Sequence, residues 1–154
     1  MSNKIDFLFA ENLRAARVKV TEERDAMPKW EEYKTEAKGR GALAMELFVV
    51  RTRPTGDMGL VKATLPDHLA YQKQMEDAGA LVMAGPMSDE TGDMMEAEGM
   101  TIYRASNLDA ARALADRDPM HKVGARAYDI RKWLVNEGSL SFTISLSSQS
   151  VALS

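Results

Sequence analysis

The residues able to do acid–base work are few: two histidines, His68 and His121, in a chain of 154 residues that has no cysteine. An imidazole exchanges a proton near neutral pH and suits general acid–base work. His68 follows Pro66 and Asp67, and the segment reads as the first turn of a helix, where the positive end of the helix dipole disfavours the charged ring. His121 lies three residues after Asp118 and reads as a further contact to the same site. His68, His121, Asp67 and Asp118 show no recognisable metal-ligand spacing, so no metal is expected. Gly85-Pro86 lacks the other glycines of a nucleotide-binding loop, no G-x-S-x-G elbow is present, and no cofactor is expected. Arg51, Arg104 and Arg126 sit on or near strands, and any that faces inward can bind a carboxylate or phenolate.

Composition bounds the rest. The net charge of −3 gives no electrostatic case for nucleic acid. The absence of cysteine excludes disulfides and thiolate chemistry and suits a reducing cytoplasm. The first residues do not read as a signal peptide, and no apolar run is long enough to cross a membrane.

These side chains need elements to hold them. Residues 1–41 read as a helical extension, with Pro28 in the first turn of a helix through Trp30 and Tyr33 that closes at Gly39 and lies on the main domain. Residues 42–134 read as β-α-β-β-α-β. Leu43, Met45, Leu47 and Val49 alternate as a strand, and Pro54, Gly56 and Gly59 mark a loop. Thr64 caps a helix from Pro66 to Ala78, stopped by Gly79. Leu81–Met83 is a short strand ended by the Gly85-Pro86 turn, and a long loop with Met94 and Met95 precedes the strand Met100–Ala105. Met83, Met87 and Met100 flank that loop and, with Met94 and Met95, suit an adaptable lid over a flat apolar molecule. Ser106 or Asn107 caps a second helix with Leu108, Ala111 and Leu114 at helical spacing. Asp118-Pro119 breaks the chain before the strand Ala125–Leu134. Residues 135–154 form an extension whose strict alternation from Ser139 to Ser147 reads as one extra strand, pairing with a sheet edge.

The segments Leu65-Pro66-Asp67-His68-Leu69 and Gly79-Ala80-Leu81-Val82-Met83-Ala84-Gly85-Pro86-Met87, in this order, resemble the YciI-like family. Gly99-Met100-Thr101-Ile102-Tyr103, the run Ala110–Ala115 and Asp116-Arg117-Asp118-Pro119 extend the resemblance over about residues 43–134. It implies an α+β fold: a ferredoxin-like domain that joins its sheet to a second copy's in a dimeric α+β barrel. It also implies a cleft holding a histidine and an aspartate, which correspond here to His68 and Asp118. Some relatives act on small ring compounds of aromatic degradation, a dehydrochlorinase among them.

The expected function is a cofactor-free lyase or isomerase acting on a small cyclic metabolite in the cytoplasm, as a homodimer. His68 moves the proton and Asp118 orients it. Gly85, Pro86, Met87, His121 and Arg104 contact the substrate. A non-catalytic ligand-binding domain of the same fold is the alternative, and a haem- or quinone-handling relative a third reading.

Overall fold

The computed structural model of the chain describes residues 27–153. The expected helical character of residues before Met27 lies outside the described residues. The chain divides between Ala42 and Leu43 into two compact units. In the first, α1 (Trp30–Gly39) starts after Lys29, whose backbone N–H donates to the Glu32 carboxylate at 3.0 Å. Pro28 therefore precedes the helix rather than lying in its first turn.

The second unit carries β1 (Met45–Pro54), α2 (Met58–Asp77), β2 (Leu81–Ser88), β3 (Met95–Tyr103), α3 (Leu108–Arg117), the single turn α4 (Pro119–Lys122) and β4 (Arg126–Val135). The order is the β-α-β-β-α-β read from the sequence. All pairings are antiparallel and the sheet runs β2-β3-β1-β4. Strand β1 is central because its two faces are both apolar: Phe48 and Val50 point one way, Leu47 the other, and all three are buried. Phe48, Val50, Tyr103, Met75 of α2, and Ala111 and Ala115 of α3 form the core under the helices. The two alanines leave α3 room to approach the sheet closely.

Helix α2 departs from expectation at its start. It begins at Met58, eight residues before Pro66, where the side chain of Asp57 accepts the Leu60 N–H at 2.9 Å. Pro66 lies inside the helix, and Thr64 is no cap: its hydroxyl donates to the Leu60 carbonyl at 2.8 Å. What carries the helix past the proline is its buried side: Val61, Thr64 and Met75 are buried, with His68 and Tyr71 half-buried between them at helical spacing. The C-terminal stop is as read, with Gly79 at φ +70°, a conformation glycine adopts without penalty.

Two further corrections concern β2 and the tail. Gly85-Pro86 is not a terminating turn but lies within β2, paired with Met100 and Gly99. Strand β2 pairs only with β3, and an edge strand tolerates a proline that cannot donate to the ladder. The tail does hold extra strand structure, but as a hairpin of β5 (Phe142–Ser145) and β6 (Ser150–Leu153) rather than one long strand. The polar run Ser147-Ser148-Gln149 turns the chain, with Gln149 at φ +50°.

The core makes one prediction about pH. Tyr103 is 2% exposed, and burial pushes its phenol far above the ordinary 10.0, helped by the charges of Tyr71 and Asp118. The fold then keeps the phenol protonated at a pH where the unfolded chain ionises. Below about pH 10 both states hold the proton and stability is unaffected; above it the unfolded state gains and stability falls. Urea midpoints should therefore decline from about pH 10 upward, less steeply in Tyr103→Phe. Tyr71 and Tyr128, also raised by burial, sustain the remaining slope. Identical slopes in the two proteins would contradict this.

Candidate active site

Asp118 ends α3 in an extended conformation (φ −61°, ψ 126°), because the residue before a proline is pushed out of the helical region. Its side chain turns back as the cap of α4, and Oδ1 accepts the Met120 N–H at 2.9 Å. The same carboxylate accepts from Nδ1 of His68, at 2.9 Å to Oδ1 and 2.8 Å to Oδ2. A carboxylate only accepts, so the imidazole proton sits on Nδ1 and the lone pair on Nε2. No partner takes Nε2 among the described residues. The Asp118 side chain is 4% exposed and that of His68 17%, so the acid is shielded while the ring keeps access to solvent or ligand.

His68 lies ten residues beyond Met58, and the helix dipole fades within the first turn. The dipole argument for a neutral ring therefore does not apply; what fixes the tautomer is Asp118.

His121, on α4, has both nitrogens engaged inside the protein. Nδ1 donates to the Ala115 carbonyl at 2.7 Å, which leaves Nε2 to accept from the Thr52 hydroxyl at 3.2 Å. Its ring also lies 4.6 Å from that of Tyr128. Thr52, buried on β1, accepts in turn from Nε of Arg126 at 3.0 Å. His121 is thus part of a network bracing one end of the sheet, with no ring nitrogen left for a substrate.

The other residues singled out in the sequence are dispersed. Arg104 donates to the Gly79 carbonyl at 2.8 Å and so closes the C-terminal end of α2. That carbonyl lies beyond the end of α2, which itself runs nine residues past His68, about 14 Å. Gly85 and Pro86 are exposed on the edge strand and Met87 is half-buried there. Met94 and Met95 are exposed at the β2–β3 hairpin. A cleft of about 360 Å³ contains Met83, but it opens on the other face of the sheet, between Met45, Leu47, Ile102, Trp133 and Leu140. Among the described residues no three His, Asp or Glu side chains are grouped closely enough to hold a metal ion, and no helix is long and apolar enough to cross a membrane.

Thr52 is not singled out by the sequence, and Arg126 is named there only beside Arg51 and Arg104, because periodicity alone does not say which arginine crosses the sheet.

Residues 45–134 match the family model of the YCII-related domain, which is more than half of the chain. The chain belongs to the YCII-related family. Within the YCII-related domain fall the four-stranded sheet except the last residue of β4, both long helices that pack on it, His68 and Asp118. Helix α1 and the β5–β6 hairpin fall outside it. Two solved structures are similar to the chain. One is the 5-chloro-2-hydroxyhydroquinone dehydrochlorinase TftG from Burkholderia phenoliruptrix AC1100, in complex with 2,5-dihydroxybenzoquinone. It is 19% identical over 58% of this chain and 93% of its own, with a TM-score of 0.48. The other, protein Atu4242 from Agrobacterium tumefaciens, is 20% identical over 58% of this chain and 91% of its own, with a TM-score of 0.34. No curated protein matches the chain.

Proposed function

We propose that this protein is a cofactor-free lyase or isomerase that moves a proton on a small cyclic, oxygenated metabolite, of the kind met in aromatic-compound breakdown. The observation that supports it is the contact of both Asp118 oxygens with Nδ1 of His68, which leaves Nε2 as a base with no partner among the described residues. In the proposed step Nε2 takes a proton from a carbon or hydroxyl adjacent to a ring carbonyl or phenolic carbon. The bonding electrons move into the ring and onto its oxygen, and the imidazolium is stabilised by Asp118. Return of the proton at another position completes an isomerisation; departure of a neighbouring group with its electron pair completes an elimination.

A panel of small ring ketones, lactones and phenols incubated with the protein in deuterated water tests it. Deuterium uptake or loss of a leaving group, detected by mass spectrometry and absent in His68→Gln, is the expected result. Ligands that bind without either change would favour the non-catalytic binding domain.

We also propose that the protein works as a cytoplasmic homodimer. The sheet face away from the helices exposes Met45, Met83 and Trp133, each 38–50% exposed, around the 360 Å³ cleft. An apolar face of that kind marks an interaction surface, and a second copy covers it in the barrel that the family resemblance implies. Light scattering should give the mass of two chains for the protein and of one for Trp133→Glu; a monomeric parent protein would contradict the assignment.

A further inference from the structure

The guanidinium of Arg126 lies across the helix-facing side of the sheet, at the end where α4 meets it. Its Nε donates to the Thr52 hydroxyl at 3.0 Å, and Nη2 donates to the Thr52 carbonyl at 3.2 Å and to the Ala97 carbonyl. A guanidinium has five N–H donors, so these three bonds leave the two on Nη1 unused among the described residues.

All three acceptors are neutral. The arginines on β1 are placed differently: Arg51 pairs with Glu98 at 3.1 Å and Arg53 with Asp129 at 3.6 Å, and both are more than half exposed. Arg126 is half-buried and has no carboxylate within ion-pair distance among the described residues. Asp118 and Glu98 act on it only through space, and Asp118 is already committed to His68. Burial wins over their attraction and weakens the hold of Arg126 on its proton.

Ala97 takes φ +60°, a left-handed conformation that strains a non-glycine residue, and its carbonyl is one of the three acceptors. Gly99 beside it is buried, and a Cβ there would stand 3.3 Å from Thr52 Cγ2, a tight approach, and in ordinary contact with Gly85 O at 3.4 Å and Arg126 Nη2 at 3.7 Å. A half-buried cation held by three neutral oxygens keeps Nη1 for a further acceptor, and an anion is the acceptor that complements its charge.

Resting on the dyad reading above, we infer that Arg126 is the anchor for a negatively charged oxygen of the substrate, so that the substrate class is a small ring carrying a carboxylate, phenolate or enolate. The Nη1 donors meet the oxygen while Nε2 of His68 addresses the neighbouring ring position. Arg126 also serves the proposed step, because the charge that develops on a ring oxygen when His68 removes a proton is stabilised by a fixed donor.

Benzoate and its neutral isostere benzamide separate this inference from the dyad. In the full chain, benzoate should move the Arg126 Nε–H resonance and bind about tenfold more tightly than benzamide, the equivalent of one charge-assisted hydrogen bond. Arg126→Lys keeps a charge but loses the fork, and the preference should fall to about threefold or less, with the thermal midpoint reporting that the variant is folded. His68→Gln should keep the tenfold preference, so a loss of turnover in that variant concerns the dyad alone. Benzoate that binds no better than benzamide, or that leaves the Arg126 resonance unmoved at the highest concentration attainable, overturns the inference and leaves the dyad standing.

Discussion

Replacing His68 by glutamine, or Asp118 by asparagine, is expected to lower any proton-transfer turnover by about 10²–10⁴-fold, the range a positioned acid–base group supplies. The first change removes the base but keeps an amide that can still donate to Asp118, so folding should survive it. The second acts through the tautomer. Asp118 presents two accepting oxygens, one shared between the Met120 N–H and His68, the other given to His68 alone. Asparagine has one accepting oxygen. If it keeps the bond to the Met120 N–H, its NH₂ faces Nδ1, and the ring proton is driven onto Nε2, the atom that has to be free. Turnover reduced in His68→Gln but retained in Asp118→Asn would mean that Asp118 is a cap for α4 and nothing more.

The largest expected change in stability follows from Phe48→Ala. Phe48 is wholly buried on the central strand, facing Tyr103 on β3 and packed with Met75 of α2 and both core alanines of α3. Deleting a buried phenylalanine costs about 3–5 kcal/mol, because the lost transfer energy and the cavity add. That is a large part of the about 5–15 kcal/mol that holds a typical domain folded. Urea unfolding checks it against Leu146→Ala, where the side chain is 87% exposed and the change should stay within about 0.5 kcal/mol. A Phe48→Ala loss below about 1 kcal/mol would mean the core lies elsewhere.

Much of the fold was legible because one face of each element has to be buried. Phe48 and Val50 alternate, Ala111 and Ala115 repeat at helical spacing, and Asn107 caps α3 by accepting the Ala110 N–H at 2.8 Å. The start of α2 misleads for a definable reason. Pro66 after Thr64 imitates a helix N-terminus, whereas the signal that decides is Asp57 followed by Val61, Thr64, His68, Tyr71 and Met75 on one side. Counting that spacing places His68 on the inner face in mid-helix.

The candidate site was only half legible. His68 and Asp118 are fifty residues apart, and no local pattern joins them; the resemblance to a family did. His121 attracts notice as the second imidazole, yet the Ala115 carbonyl and Thr52 hydroxyl occupy it, and those partners come from α3 and β1. The same holds for the arginines. Arg104 and Arg126 look alike in sequence, and only the three-strand path from β4 over Thr52 to Ala97 distinguishes the one that crosses the sheet from the one that closes α2.

The central claim is that Asp118 holds the proton of His68 on Nδ1 and leaves Nε2 as the base. Nitrogen-15 spectra of the imidazole rings, recorded at about pH 8 where an ordinary histidine is neutral, read the tautomer directly. The account predicts an Nδ1–H ring for His68 in the protein and loss of that form in Asp118→Ala. A proton found on Nε2 of His68 in the unaltered protein, or the same spectrum in both proteins, would contradict it.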